Sequence, residues 1–246
     1  MLLTYKTILT KKTQLNSNTH LYHFDLLEPK EIIFEPGQYV MLKVPSEKGP
    51  VSRLYSIASP NTIKNSFELI IGIIPGGLAS NYLFSLKENT EVIFYGPAGV
   101  FGLKENDRTK IFLVTGTGIA PILSIIKSNF QFSIFNFQLF WGLKNYQDVY
   151  IFDELKQLNN ETMKQFEFKI CLSREQNLDM IPEEDRKYFK LGHIDKVMEE
   201  ELNNEAMKQS NNFEFYLCGG RTAVESLRLF LSSKNIPKEN IYFEKF

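Results

Sequence analysis

The sequence predicts a two-domain chain: a β-rich first part, then an α/β part built on a parallel, doubly wound sheet. Three observations carry this. Up to about residue 100, short runs of β-branched and aromatic residues alternate with Gly/Pro turns. Further on, continuous apolar runs alternate with helical segments. Between the two rhythms lies the polar stretch "LKENDRTK" (103–110). The boundary is set inside it, giving domains 1–107 and 108–246. A chain of 246 residues can hold two modest domains, and 43% hydrophobic against 23% charged content suits a globular protein with a real core.

In the first part, "LYHFDLL" (21–27), "QYVMLKV" (38–44), "FELIIGII" (67–74) and "EVIFYG" (91–96) read as strands. The turns "EPGQ", "VPSEKGP" and "IPGGL" separate them, and one helix interrupts at "LASNYLFSL" (78–86). Many short strands with such turns argue for a barrel or a sandwich. In the second part, "KIFLVTG" (110–116) has the unbroken apolar character of a strand buried on both faces. A helix follows at about 119–128. The pattern repeats through strand 136–142, helix 149–158, strand 166–172, helix 194–207, strand 213–219, helix 221–233 and strand 240–246. Such alternation gives a parallel sheet with helices on both faces.

Several function classes are disfavoured. Residues 1–107 carry ten basic and ten acidic side chains and the remainder eighteen and nineteen, so neither half has the basic excess that nucleic-acid binding requires. Cys171 and Cys218 make neither a disulfide framework nor a cluster motif, and His20, His23 and His193 have no metal-ligand spacing, so no metal site is expected. The start "MLLTYKTILTKKTQ" lacks the pattern of a signal peptide. The most apolar stretch, 111–126, is broken by two glycines and a proline and is too short to span a bilayer. The expected location is the cytoplasm.

Four segments can carry chemistry. In "PVSRLYSIAS" (50–59), strand alternation puts Arg53 and Tyr55 on one face and Ser56 on the other or at a bend. "GGLASNYL" (76–83) is a glycine turn entering a helix, where Ser80 and the N–H groups of Leu78 and Ala79 can hold a phosphate. "VTGTGIAPILSII" (114–126) lies at the first strand-to-helix turn of the parallel sheet, where such folds bind dinucleotides; it reads G-x-G-x-x-P rather than G-x-G-x-x-G. Ser173 and Arg174 in "CLSREQ", and Cys218 in "LCGG", end two further strands on that same carboxyl edge. There an arginine can pair with an adenosine 2′-phosphate.

Taken in order, "PGQYV", "RLYSIAS", "GGLAS", "GPAGVFG", "GTGIAP", "SR", "CGG" and the aromatic C-terminus resemble the ferredoxin–NADP reductase family of flavoproteins over nearly the whole chain. The resemblance implies an antiparallel Greek-key flavin-binding barrel followed by a nucleotide-binding α/β domain. It implies that Arg53 neutralises the FAD pyrophosphate and that Leu54, in the same run, is also a cofactor-binding residue. Tyr55 would lie against one face of the isoalloxazine, with Ser56 near flavin N5. Gly77, Leu78, Ala79 and Ser80 would hold the flavin pyrophosphate. Gly116, Thr117, Gly118 and Pro121 would bind NADP or NAD, with Ser173 and Arg174 at its adenosine end. Cys218 would approach the nicotinamide, Glu244 would be a proton-relay carboxylate, and Phe246 would cover the opposite flavin face.

Three departures qualify this reading. "GHIDKV", with His193, stands where NADP-specific members carry a second arginine; the plant-type terminal tyrosine is missing; and there is no cysteine quartet for an iron–sulfur cluster. The implied activity is hydride transfer between NAD(P)H and FAD, with electrons handed to a separate ferredoxin or flavodoxin. The alternatives are a free-flavin reductase and a non-catalytic flavin-binding regulatory or scaffold domain.

Overall fold

A computed structural model describes residues 2–129, 136–162, 165–203 and 212–246. The chain divides into two compact units. One runs through Leu103 and also includes the helix residues from Ala120; the other takes Lys104–Ile119 and the rest of the chain.

The first unit holds β1 (Leu3–Gln14), β2 (Thr19–Glu28), β3 (Tyr39–Val44), β4 (Val51–Ser56), β5 (Ser66–Gly72), helix α1 (Leu78–Ser85) and β6 (Glu91–Ala98). The strands form one antiparallel sheet in the order β4-β3-β6-β1-β2-β5. Placing β6 between β3 and β1 gives Greek-key rather than meander connectivity. Beyond β4, Ile57 bridges Leu69 of β5, and the Ala58 N–H donates to the Glu68 carbonyl at 2.8 Å. The two edges of the sheet therefore meet, and of barrel and sandwich the chain takes the barrel. Phe24, Phe67 and Phe94 meet at its centre, with Phe94 edge-on to the other two at 4.9 and 5.3 Å. Each buried phenylalanine stabilises the fold by about 1.5–3 kcal/mol.

Strand β1 is central, yet the sequence did not suggest it. Its inward residues are Tyr5, Thr7 and Leu9, so the middle inward position is polar. Thr7 satisfies its hydroxyl by donating to the Val92 carbonyl at 2.8 Å. A register shift between Leu9 and Lys11 then breaks the two-residue period.

The second unit contains β7 (Thr109–Thr115), β8 (Phe137–Leu143), β9 (Phe166–Leu172), β10 (Phe189–Leu191), β11 (Phe213–Gly219) and β12 (Ile241–Lys245). All are parallel, in the order β10-β9-β8-β7-β11-β12. Helix α2 (Ile119–Asn129) follows β7, and α3 (Phe152–Glu161), α4 (Ile194–Leu202) and α5 (Arg221–Ser233) follow later strands. Every residue of β11 is buried, as a central parallel strand demands. Helices α4 and α5 share a core with Cys171 of β9, whereas Phe152 of α3 packs on Phe168 of β9. Residues 168 and 171 point to opposite faces, so the helices cover both.

Two expectations shift. Helix α3 begins at Phe152 rather than near 149, because a 3-10 turn over Tyr146–Asp148, capped reciprocally by Asn145 and Asp148, precedes it. Ile151 then turns the chain at φ +53°. Strand β10 has three residues, too few to leave an alternation in the sequence. The expected helix end and loop over 204–211 lie outside the described residues.

Candidate functional site

Strand β4 carries the run Arg53-Leu54-Tyr55-Ser56. Arg53 stands opposite Leu42 and Tyr55 opposite Val40, while Leu54 faces Met41 and Ser56 faces Tyr39. Directly opposed residues share a face. Arg53 and Tyr55 thus lie on the face of the buried Val40 and Leu42, and Leu54 and Ser56 on the other. Arg53 is exposed, its Nη1 donating only locally to the Ser52 carbonyl at 2.9 Å. Leu54 is 55% exposed. Tyr55 is half-buried against the barrel core. Burial, opposed by the Arg53 charge, pushes its hydroxyl up to about 12, so it stays protonated. Beneath it, Tyr22 is fully buried with an unpartnered Oη. An edge strand offering a cation, an exposed apolar side chain and an aromatic ring suits a long ligand with a charged end and a flat end.

Helix α1 packs into the same barrel core as Tyr55. Gly77 caps it with no side-chain hydrogen bond, and its first turn holds no acidic residue. Its leading N–H groups are left without carboxylate competition, as an anion would need. The Ser80 Oγ is buried and accepts the Ile74 N–H at 2.9 Å, so it closes the 74–80 turn. Leu78 is 40% exposed and Ala79 is buried. These features fit a flavin dinucleotide: a guanidinium and a helix end for phosphate, and Tyr55 for a ring.

In the second unit the strand order reverses between β7 and β11, which is where ligands settle in doubly wound sheets. Both strands end there in glycine turns. Gly116-Thr117-Gly118 forms a 3-10 turn after β7, and Gly219-Gly220 leads into α5. The turns interlock: a Cβ on Gly118 would stand 2.3 Å from the Cys218 carbonyl oxygen. Gly116 sits at φ +53° and is half-buried. Pro121 is buried in the first turn of α2, where it costs no hydrogen bond. This nested backbone fits a pyridine dinucleotide pyrophosphate.

The remaining predicted residues fall on the same carboxyl edge. Ser173 donates its hydroxyl to the Leu143 carbonyl at 3.2 Å, and the Arg174 N–H donates to the Lys144 carbonyl at 2.9 Å, leaving the Arg174 side chain on an exposed turn. His193 is exposed at the N-cap of α4. Cys218 is buried and stands opposite Glu244 in the ladder. Burial, and then the Glu244 carboxylate, push its thiol well above the usual range. It is therefore a neutral thiol and not a thiolate nucleophile. Phe246 is 61% exposed; its N–H donates to the Gly219 carbonyl at 3.2 Å and its carbonyl accepts the Arg221 N–H at 3.1 Å. The backbone beside the β11 turn is thus pinned by the last residue of β12's extension. Two residues that sequence reasoning missed, Trp141 and Tyr150, both donate to the Gly116 carbonyl. A side chain bonded to a distant carbonyl leaves no motif to read.

Among the described residues no helix is long and apolar enough to cross a membrane, and no cluster of His, Cys, Asp or Glu could hold a metal ion.

Known proteins bear on these surfaces. An oxidoreductase FAD-binding domain model matches residues 6–102, and an oxidoreductase NAD-binding domain model matches residues 112–228. The toluate 1,2-dioxygenase electron transfer component of Pseudomonas putida is 28% identical over 98% of this chain and 67% of its own length. The anthranilate 1,2-dioxygenase electron transfer component of Acinetobacter baylyi is 29% identical over 98% and 66%. The chain thus spans about two thirds of the length of these curated relatives. Among solved structures, the cytochrome P450 reductase GcoB of Amycolatopsis superposes with a TM-score of 0.86 at 24% identity, over 100% of this chain and 70% of that one. A ferredoxin NADP+ reductase from Neisseria gonorrhoeae with bound FAD and NADP gives 0.78 at 19%, over 99% and 98%. These superpositions fix the two-domain fold. With a flavin-binding and a nicotinamide-binding oxidoreductase domain in succession, the chain belongs to the ferredoxin–NADP reductase family of FAD- and NAD(P)-dependent oxidoreductases.

Proposed function

We propose that this chain passes hydride between NAD(P)H and FAD and hands the electrons to a separate carrier of the ferredoxin or flavodoxin kind, in the cytoplasm. Residues 1–107 hold FAD and residues 108–246 hold the nicotinamide nucleotide. Bound FAD supplies the redox chemistry, taking hydride at N5 and releasing electrons. The protein's own part is positioning. The observation that carries the reading is the pair of interlocked glycine turns at the reversal point of the parallel sheet, together with an uncapped helix end and an exposed arginine in the barrel unit. The relatives named as electron transfer components of dioxygenases support a carrier or an oxygenase component as the acceptor.

In the division of labour, Arg53 and the α1 end from Gly77 to Ser80 neutralise the flavin pyrophosphate, and Tyr55 shields one face of the flavin. Ser56 hydrogen-bonds near N5. Gly116, Thr117 and Gly118, with Pro121 starting the helix, hold the nicotinamide dinucleotide. Cys218 contacts the nicotinamide as a neutral thiol, Glu244 relays protons and Phe246 covers the second flavin face.

Stopped-flow mixing of flavin-loaded protein with NADH and with NADPH tests the activity. Bleaching of the flavin absorbance is the expected result, and its absence with both nucleotides sinks the reductase reading in favour of a flavin-binding scaffold. Loss of flavin on a desalting column, with turnover restored by added flavin, would instead identify a free-flavin reductase.

Nucleotide choice rests on Ser173 and Arg174. A guanidinium on this turn forms a charge-assisted bond to a 2′-phosphate. Arg174→Ala is expected to raise KM for NADPH on the order of tenfold while KM for NADH moves little. Equal effects on the two nucleotides would remove Arg174 from that role.

A further inference from the structure

The Gly116 carbonyl receives two side-chain donors that no binding motif predicts. Trp141 Nε1–H donates to it at 2.9 Å from β8, and the Tyr150 hydroxyl donates at 3.1 Å from the turn before α3. The two rings pack edge to face at 4.7 Å. Trp141 is fully buried and Tyr150 is 5% exposed. Burial pushes the Tyr150 hydroxyl far above its usual range, so it remains a donor at any working pH.

The consequence follows from peptide geometry. The Gly116–Thr117 bond is trans, the only cis bonds among the described residues being Glu28–Pro29 and Gly96–Pro97. In a trans peptide the carbonyl and the next N–H point in opposite directions. Holding the Gly116 carbonyl toward Trp141 and Tyr150 therefore aims the Thr117 N–H away from them. Gly116 is at φ +53°, where only glycine rests without cost and where rotation of the following peptide would meet no Cβ. A glycine turn is otherwise free to turn this peptide over, presenting a carbonyl oxygen to an anion instead of an N–H.

We propose that Trp141 and Tyr150 are positioning residues that lock the Gly116–Thr117 peptide with its N–H outward, so that the turn is set for a dinucleotide diphosphate before the nucleotide arrives. This rests on the reading of Gly116–Gly118 as the nicotinamide-nucleotide turn. Neither side chain touches the nucleotide in this scheme. Because both donors hold one oxygen, either alone retains part of the lock, and their effects are coupled.

The test compares the intact protein with Tyr150→Phe, Trp141→Phe, the double variant and Gly116→Ala. Titration calorimetry with NAD+ and NADP+ gives dissociation constants without turnover. Stopped-flow reduction of the flavin-loaded protein gives the limiting rate. Tyr150→Phe removes one oxygen from an otherwise unchanged ring and is expected to raise the dissociation constants about fivefold, the worth of one hydrogen bond. The double variant is expected to exceed the product of the two single effects. The limiting rate at saturating nucleotide should stay within about twofold, a split between binding and chemistry that general loosening of the fold does not produce. Should Trp141→Phe not fold, Tyr150→Phe carries the test. If Gly116→Ala weakens binding and Tyr150→Phe leaves it within about twofold, the lock is overturned and the turn's assignment stands. If neither changes binding, both the lock and the assignment fall. An equal fall in binding and in limiting rate for Tyr150→Phe also overturns the lock.

Discussion

Lys110→Met is expected to lower the unfolding free energy of the second unit by about 3–5 kcal/mol, the cost of stranding one partner of a buried ion pair. Lys110 has no exposed surface, and its Nζ donates to Glu214 Oε2 at 2.8 Å and to Asn106 Oδ1 at 2.5 Å. Glu214 is 2% exposed and also accepts Asn106 Nδ2 at 2.8 Å and the Tyr216 hydroxyl at 2.9 Å. Tyr216 in turn accepts the Lys104 N–H at 3.0 Å. Lys110 and Glu214 face each other at the amino ends of β7 and β11, opposite the glycine turns. The network therefore fastens residues 104–110 to the sheet, at the end away from the glycine turns. Removing the buried cation leaves a carboxylate with two neutral donors and the more distant, partly exposed Arg108, whose Nη1 stands 3.9 Å from Oε1. The paired replacement Lys110→Met with Glu214→Leu is expected to recover most of the loss. Denaturant unfolding followed by the fluorescence of Trp141, the only tryptophan and a residue of this unit, measures both. A single variant that loses less than about 1 kcal/mol would show the pair to be worth no more than a surface bridge.

The same network sets an acid limit. Burial opposes the Glu214 charge, but hydrogen bonds from Lys110, Asn106 and Tyr216 outweigh it and hold the carboxyl below its ordinary value of 4.5. A carboxyl whose folded pKa lies below its unfolded one gives stability that is complete above the unfolded value. That stability is lost as pH falls through the lower folded value. The Trp141 transition should therefore weaken below about pH 4.5 in the parent and flatten in the doubly replaced protein.

The strands of the parallel sheet were legible in the sequence because short runs rich in aromatic and aliphatic residues, bounded by polar or turn segments, mark buried strands. "FEFKICL" and "FEFYLCG" coincide with β9 and β11. The glycine turns were legible because close approach at Gly118 and a positive φ at Gly116 both favour glycine. What escaped depends on partners far along the chain. Thr7 reads as a break in a strand until Val92 accepts its hydroxyl. Lys110 and Glu214 lie inside the runs "KIFLVTG" and "FEFYLCG", and only the pairing of β7 with β11 makes them a buried pair. The Ser80 oxygen also takes the Ile74 N–H, a contact six residues away that no motif encodes. Strand alternation placed Arg53 and Tyr55 together correctly, because register is local and periodic. The environment of Trp141 and Tyr150 was invisible, since a carbonyl acceptor is the same for every residue type.

Gly118→Ala is expected to cut the rate of flavin reduction by NADH or NADPH about a hundredfold while the protein keeps its flavin. A Cβ at this position would lie 2.3 Å from the Cys218 carbonyl oxygen, 2.6 Å from its carbonyl carbon and 2.8 Å from the Gly219 nitrogen. All three are backbone atoms, so no side chain can rotate to make room. Either the turn after β7 or the turn after β11 must move by roughly an ångström, and displacement on that scale is what positioning catalysis tolerates least. Overpacking adds about 1–3 kcal/mol of destabilisation. Gly116→Ala supplies the contrast. Its Cβ would meet nothing within 4 Å, and its cost is the positive φ alone, about 1 kcal/mol. The two alanines therefore separate close approach from backbone freedom at positions two residues apart. Stopped-flow reduction should rank Gly118→Ala as the far more damaging change. The reverse order would mean that the β7 and β11 turns need not nest for hydride to pass, and the positioning account of this site would have to be abandoned.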